Sequence, residues 1–203
     1  MSMREQLAAA GYINLLVEQA LSRGEGRMAS TGALAVETGK YTGRSPEDRF
    51  VVEDATTKDT VDWGKINKPF DPEAFVALRS RQKAYLEGRD VFVFDGYIGA
   101  DEDYRIPVRV INEYAWQNLF IHQLLRRPTE EELASFKPEV TLVCTPGFKA
   151  IPELDKTNSE AFIILNFTSK EILIGGASYA GEMKKSCFSY MNYMMPEQGV
   201  CPM

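Results

Sequence analysis

Short apolar runs alternate irregularly with helical stretches along this chain, and that alternation admits few architectures. Runs that read as strands lie at residues 33–36, 49–53, 91–94, 106–111, 140–144, 161–167 and 171–174. Helical spacing occupies 3–22, 72–86, 112–127, a short stretch from Thr129, and 179–195. Strands interleaved with helices at irregular intervals predict an α/β fold, with a mixed β-sheet covered by helices. A chain of 203 residues, 44% of them hydrophobic, fits a single domain spanning 1–203. A domain of this size buries about 70% of its unfolded surface, so it needs no disulfide or structural metal to fold.

Turn and cap chemistry sets the expected boundaries. Asp71 before Pro72 is an N-cap with proline in the first turn. Asn112 is placed to cap the helix that follows, and Pro128 to stop it, with Glu113 early and Arg126 and Arg127 late on its dipole. Thr129 and Glu132 have capping-box spacing. Gly24, Gly26 and Gly32 mark a loop. Residues 58–71 read as polar connection anchored by Trp63 and Phe70, and 97–103 as a turn. The final helix should end at Pro196.

The net charge is −6, without the basic stripe that a nucleic-acid binder carries, so no nucleic-acid partner is expected. Any anionic ligand must be captured by a few placed cations. Cys144, Cys187 and Cys201 form no CxxC pair and read as reduced thiols of a cytoplasmic protein. No run approaches the roughly 18 apolar residues of a membrane helix, and the N-terminus lacks the pattern of a signal peptide. The apolar end YMMPEQGVCPM predicts that the chain continues in a longer protein.

Two glycine-containing segments could carry chemistry. In TGKYTGRSP, Lys40 and Arg44 stand beside Gly39 and Gly43, and an arginine fork suits a carboxylate or phosphate. In GGASYAGEMKK, a strand runs through two glycines into a helix start, the place where α/β sheets gather ligands. Tyr179 offers a hydroxyl, and Glu182 suits the helix dipole. Lys184 and Lys185 project roughly 100° apart, so they serve different contacts. On the residues alone, solvated turns with incidental charges are the competing reading of both segments. The single histidine, His122, has no clustered metal partner and reads as structural. Asp101, Glu102 and Asp103 read as a solvated turn. The motifs GxxxxGK[ST], GxSxG and GxGxxG are absent.

From TGRSP and the strand RFVV onward, the chain resembles ATP-dependent phosphoenolpyruvate carboxykinases. The likeness continues through ATTKDTVDWGKINKPF, through FDGYIGADEDYRIPVRVINEYAWQNLFIHQLLRRPTEEELASFKPE, and through LIGGASYAGEMKKSCFSYMNYMMPEQGVCPM. The family pattern YxGEMKK is met by Tyr179, Gly181, Glu182, Met183, Lys184 and Lys185. The resemblance implies the N-terminal domain of that fold, set against a C-terminal nucleotide domain across the active-site cleft. It implies conversion of oxaloacetate and ATP to phosphoenolpyruvate, carbon dioxide and ADP. By the same resemblance Arg44 binds the substrate carboxylate, and Tyr179 lies at the substrate or carbon dioxide site. Lys184 lies near the phosphates. Lys185 touches substrate and ligates Mn2+ or Mg2+ as a neutral amine, and both lysines count as catalytic.

Ala180 stands where many members have glycine, and the likeness is weaker over residues 144–159, onto which it carries no function. The family's metal-binding histidine follows a motif like GVCPM, at which this chain ends, and His122 does not match it. The phosphate loop, the metal-binding aspartate and the adenine pocket lie further on in the family. The expectation is therefore a chain that binds no cofactor alone and is inactive by itself. The alternative is a non-catalytic stand-alone module that binds or senses small carboxylic acids. On the first reading, Arg44 should stand near Tyr179 and Lys185 on one concave face.

Overall fold

The computed structural model describes residues 3–201, with side chains described from Gly11 onward. Its centre is a seven-stranded mixed sheet built from β3 (Arg49–Val52), β4 (Lys68–Phe70), β5 (Phe92–Ile98), β6 (Ile106–Asn112), β7 (Val140–Thr145), β8 (Phe162–Asn166) and β9 (Glu171–Gly175). The strand order is β4-β3-β8-β9-β7-β6-β5. The pairs β5–β6 and β8–β9 are antiparallel and the other neighbours are parallel. The mixed α/β architecture expected from the sequence is the one observed.

Helices cover both faces. On one lie α1 (Met3–Ser22), α3 (Ala115–Leu124) and α6 (Gly181–Glu197), which bury Leu16, Trp116, Ile121, Met183 and Tyr190 against Val108, Leu142, Ile163 and Leu165. On the other, α2 (Pro72–Leu86) buries Phe75 and Leu78 against Phe50, Ile164 and Leu173. Consecutive residues of β8 enter opposite cores, so all five are buried. That is why Phe162 to Leu165 form an unbroken apolar run and not an alternating one. The short helices are α4 (Glu130–Ala134) and α5 (Pro152–Asp155).

Asp71 caps α2 as expected, accepting from the N–H groups of Glu73 and Ala74 at 2.8 and 2.9 Å. The Thr129–Glu132 capping box forms at α4. Several boundaries differ from expectation. Glycine loop residues form strand β1 (Gly26–Met28), which pairs with β2 (Leu34–Val36) in a small antiparallel hairpin. The polar stretch before α2 ends in β4, whose Pro69 is tolerated because the strand is at the sheet edge. β5 runs on through Tyr97 and Ile98, where the sequence predicts a turn, because β6 pairs with it along its full length.

Asn112 does not cap a helix. It ends β6, is fully buried, and its Oδ1 accepts from Asn118 Nδ2 at 3.0 Å. Helix α3 begins at Ala115, with Tyr114 at the N-cap and no side-chain cap bond, and ends at Leu124. Arg126 lies outside the helix and pairs its backbone with Tyr97. Helix α6 begins at Gly181 instead of Tyr179 and passes through Pro196 to Glu197.

Candidate functional site

Strand directions bring the two glycine segments together. β3 runs parallel to β8, with Arg49 opposite Ile163, and β8 runs antiparallel to β9, with Phe162 opposite Gly175. The residues entering β3 and those leaving β9 therefore meet at one rim of the sheet. Leaving β9, Gly176 adopts φ +67, and a Cβ there would lie 2.2 Å from the Glu160 carbonyl oxygen. Only glycine fits that position. The turn is held by Gln117, whose Nε2 donates to the Ser178 carbonyl at 3.0 Å.

A single bond ties the segments across 137 residues of sequence: the Ser45 N–H donates to Glu182 Oε1 at 2.7 Å. Behind it lies Asp48, 4% exposed, in the 3-10 turn Pro46–Asp48. Its carboxylate accepts from Ser159 Oγ at 2.8 Å and from the Ser45 hydroxyl. Tyr41 reaches the same Ser159 hydroxyl at 3.2 Å. The Arg44–Ser45 backbone is thus fixed from two sides, so Arg44 projects from an ordered loop.

A cavity of about 550 Å3 opens here, with Arg44, Arg49, Glu182 and Lys185 among its walls. It continues along α6 past Phe188 and Tyr193, facing residues 60–62 and 65–67. Arg44 and Lys185 share this cavity, as expected. Tyr179 and Lys184 are not in its lining. Tyr179 sits in the turn before α6, its ring against Gly181, where a Cβ would come within 2.4 Å of the ring. Arg44, Lys184 and Lys185 are all exposed, and Lys185 Nζ lies 5.0 Å from the Phe188 ring centre.

Three contributors escaped the sequence reading. Arg49 lines the cavity half-buried, and the visible signal was an arginine opening an otherwise buried strand. Asp48 gave no sign that it would be buried, and the segment 60–67 showed only Trp63 as an anchor. Burial pulls the Arg49 guanidinium below its usual range, Glu182 opposes this, and Arg44 adds to it. Burial likewise pushes the Glu182 carboxyl up, against the Ser45 N–H and the two arginines, which favour its charged form.

The Glu182 shift has a testable sign. A carboxyl raised in the folded state holds its proton more tightly there than in the unfolded chain. Its stabilising contribution is present in acid and is lost as pH rises from the ordinary carboxylate value through the folded one. In urea unfolding between about pH 4 and pH 7, wild-type stability relative to Glu182→Gln should fall as pH rises. A rise instead would mean that the arginines outweigh burial.

Elsewhere, Asp101, Glu102 and Asp103 form an exposed turn and His122 is buried, 6% exposed. Cys144 and Cys187 are buried and unbridged, and burial pushes both thiols up. Among the described residues, no group of three or more His, Cys, Asp or Glu is placed to hold a metal ion. No helix among them is long and apolar enough to cross a membrane.

A mixed sheet with two lysines, Lys65 and Lys185, and two arginines, Arg44 and Arg49, lining a cavity at its strand ends defines an α/β domain with a cationic cleft. The family model for phosphoenolpyruvate carboxykinase matches residues 6–203. Phosphoenolpyruvate carboxykinase (ATP) 1 of Moorella thermoacetica is 63% identical over 188 residues, covering 93% of this chain and 36% of that protein. The phosphoenolpyruvate carboxykinase (ATP) of Geobacillus kaustophilus is 56% identical over 189 residues, with the same two coverages, 93% and 36%. That of Bacillus cereus strain AH187 is 54% identical over 189 residues. The chain belongs to the phosphoenolpyruvate carboxykinase family, and its sheet is that of the family's N-terminal domain. It spans 36% of the length of these relatives.

Proposed function

We propose that this chain is the substrate-binding N-terminal domain of an ATP-dependent phosphoenolpyruvate carboxykinase of the cytoplasm. In that reaction, the carbon–carbon bond to the departing carboxylate of oxaloacetate breaks, releasing carbon dioxide and leaving an enolate. The enolate oxygen then attacks the γ-phosphorus of ATP, and ADP leaves. The observation that carries the reading is Arg44 and Lys185 on one cavity, brought there from opposite ends of the chain.

Each side chain has a share in the chemistry. The Arg44 fork binds the substrate carboxylate through paired hydrogen bonds. Arg49, in the same cavity, sets positive charge where the enolate develops, and Lys184 meets the phosphates from the adjacent face of α6. Tyr179 offers its hydroxyl to substrate or carbon dioxide from the turn before the helix. Ser45, Glu182 and Asp48 keep the Arg44 loop in register with α6.

The described residues do not by themselves fit a divalent metal. Lys185 offers one nitrogen and no acidic cluster accompanies it among the described residues, while Glu182 in the same cavity is committed to the Ser45 N–H. In this reading Lys185 gives a single ligand to Mn2+ or Mg2+, as a neutral amine, in an assembled enzyme that supplies the rest. ATP likewise requires groups beyond these residues, since GxxxxGK[ST] is absent.

The test is a titration of the 203-residue chain with phosphoenolpyruvate, followed by calorimetry. With one wall of the cleft, binding should be weak, at about 1 mM or above, and should be lost in Arg44→Ala. Binding of equal strength in that variant would remove Arg44 from the site.

A further inference from the structure

We propose that a groove bounded by β5, the end of α3 and α4 is a second ligand site, built for a small organic anion with an apolar body, of the class of aryl or branched-alkyl phosphates and carboxylates. The groove is a cavity of about 830 Å3 that shares no lining residue with the first. That volume falls in the roughly 300–1,000 Å3 range of small-molecule sites.

Three independent features meet in it. Its apolar wall is Val93, Leu124 and Leu133, which are 44%, 44% and 48% exposed. These side chains give the concavity an apolar wall open to solvent. Its charge comes from Arg126 and Arg127, neither of which has an ion-pair partner among the described residues. Of the acids there, Asp95 is taken on both oxygens by Arg109 at 2.8 Å, leaving Glu130 at the rim against two guanidinium groups.

The third feature is His122. Its ring lines the groove, yet Nδ1 is buried with no hydrogen-bond partner among the described residues. Buried polar side-chain atoms are nearly always paired, so an orphaned nitrogen in a ring that lines a cavity points to a partner that the described residues do not supply. Tyr12 and Phe94 hold the imidazole, with ring centres 5.4 and 5.3 Å away, so it cannot swing out to water. Burial and the Arg127 charge push its pKa down, leaving a neutral ring at pH 7 that can donate or accept. A ligand with an anionic head between the arginines, an apolar body on the leucines and one polar atom toward the imidazole satisfies all three features. The cavity volume and the orphaned polar atom favour a small molecule over a protein segment.

His122 is the only histidine in the chain, so its imidazole resonances report the groove without assignment ambiguity. Phenyl phosphate titrated into the 203-residue chain should shift them saturably, with Kd of about 0.1–1 mM. Inorganic phosphate, which lacks the apolar body, should bind at least tenfold more weakly. Arg126→Gln with Arg127→Gln should weaken the response tenfold or more, and Leu133→Asp should weaken it with the arginines intact. Arg44→Gln, in the first cavity, should leave it unchanged. The proposal is overturned by a silent imidazole at about 20 mM ligand, by equal potency of inorganic phosphate, by a response that survives both groove variants, or by one that disappears with Arg44→Gln.

Discussion

Arg44→Ala, placed in a full-length phosphoenolpyruvate carboxykinase that contains this chain, is expected to raise KM for oxaloacetate and for phosphoenolpyruvate roughly 10- to 150-fold. The range follows from charged hydrogen bonds worth about 1.5–3 kcal/mol. Arg44 is exposed and makes no hydrogen bond among the described residues, so its removal takes from the fold only its electrostatic interactions with Glu182 and Arg49. The loss falls on the ligand. Asp48 and Glu182 hold the loop through Ser45, whose N–H and hydroxyl remain in the variant, so the loop should keep its course. Arg44→Lys should also bind poorly, because an ammonium cannot reproduce the two-pronged contact. Arg49, in the same cavity, keeps some positive charge there and holds the effect within this range. Steady-state kinetics on both variants decide the matter, and unchanged KM values for both substrates would remove Arg44 from the binding role.

Much of this arrangement is legible in the residues themselves. Asp71–Pro72 and Thr129–Glu132 carry their cap chemistry within a few positions, and local signals of that kind hold whatever the tertiary context. The runs that form β3, β7, β8 and β9 are visible because their residues are buried on two faces. Misreadings arise where distant pairing overrides local preference. Asn112 has a good cap residue's side chain, but its backbone is held between Phe92 and Cys144 in the sheet. Lys68, Pro69 and Phe70 have little strand character and become a strand because β3 offers them an open edge. At the site, Arg44, Tyr179, Lys184 and Lys185 carry a motif; Asp48 and Arg49 do not. The importance of the latter two arises from burial and from neighbours more than 100 residues away in sequence, Ser159 for Asp48 and Glu182 for Arg49. No local pattern encodes that.

The 203 residues on their own are expected to form no phosphoenolpyruvate from oxaloacetate, ATP and manganese. The reaction needs the γ-phosphoryl held in line with the enolate oxygen, and positioning of this kind is worth roughly 7–11 kcal/mol of the barrier. That alone is about 10^5- to 10^8-fold in rate. The described residues offer no acidic cluster for the ion and the sequence has no GxxxxGK[ST] loop for the phosphates. What they do offer is one cationic wall, Arg44, Arg49 and Lys185, which can bind an anion without aligning a second reactant against it. Lys185 offers at most one nitrogen and no acidic cluster accompanies it among the described residues, so Lys185→Ala should leave weak manganese binding unchanged. The assay must follow phosphoenolpyruvate or ADP, since loss of carbon dioxide by itself would not register phosphoryl transfer. Circular dichroism showing the mixed α/β content would separate an inactive folded chain from an unfolded one. Turnover by the purified chain that disappears in both Arg44→Ala and Lys185→Ala would show that this single wall suffices, and the requirement for a second domain would fall.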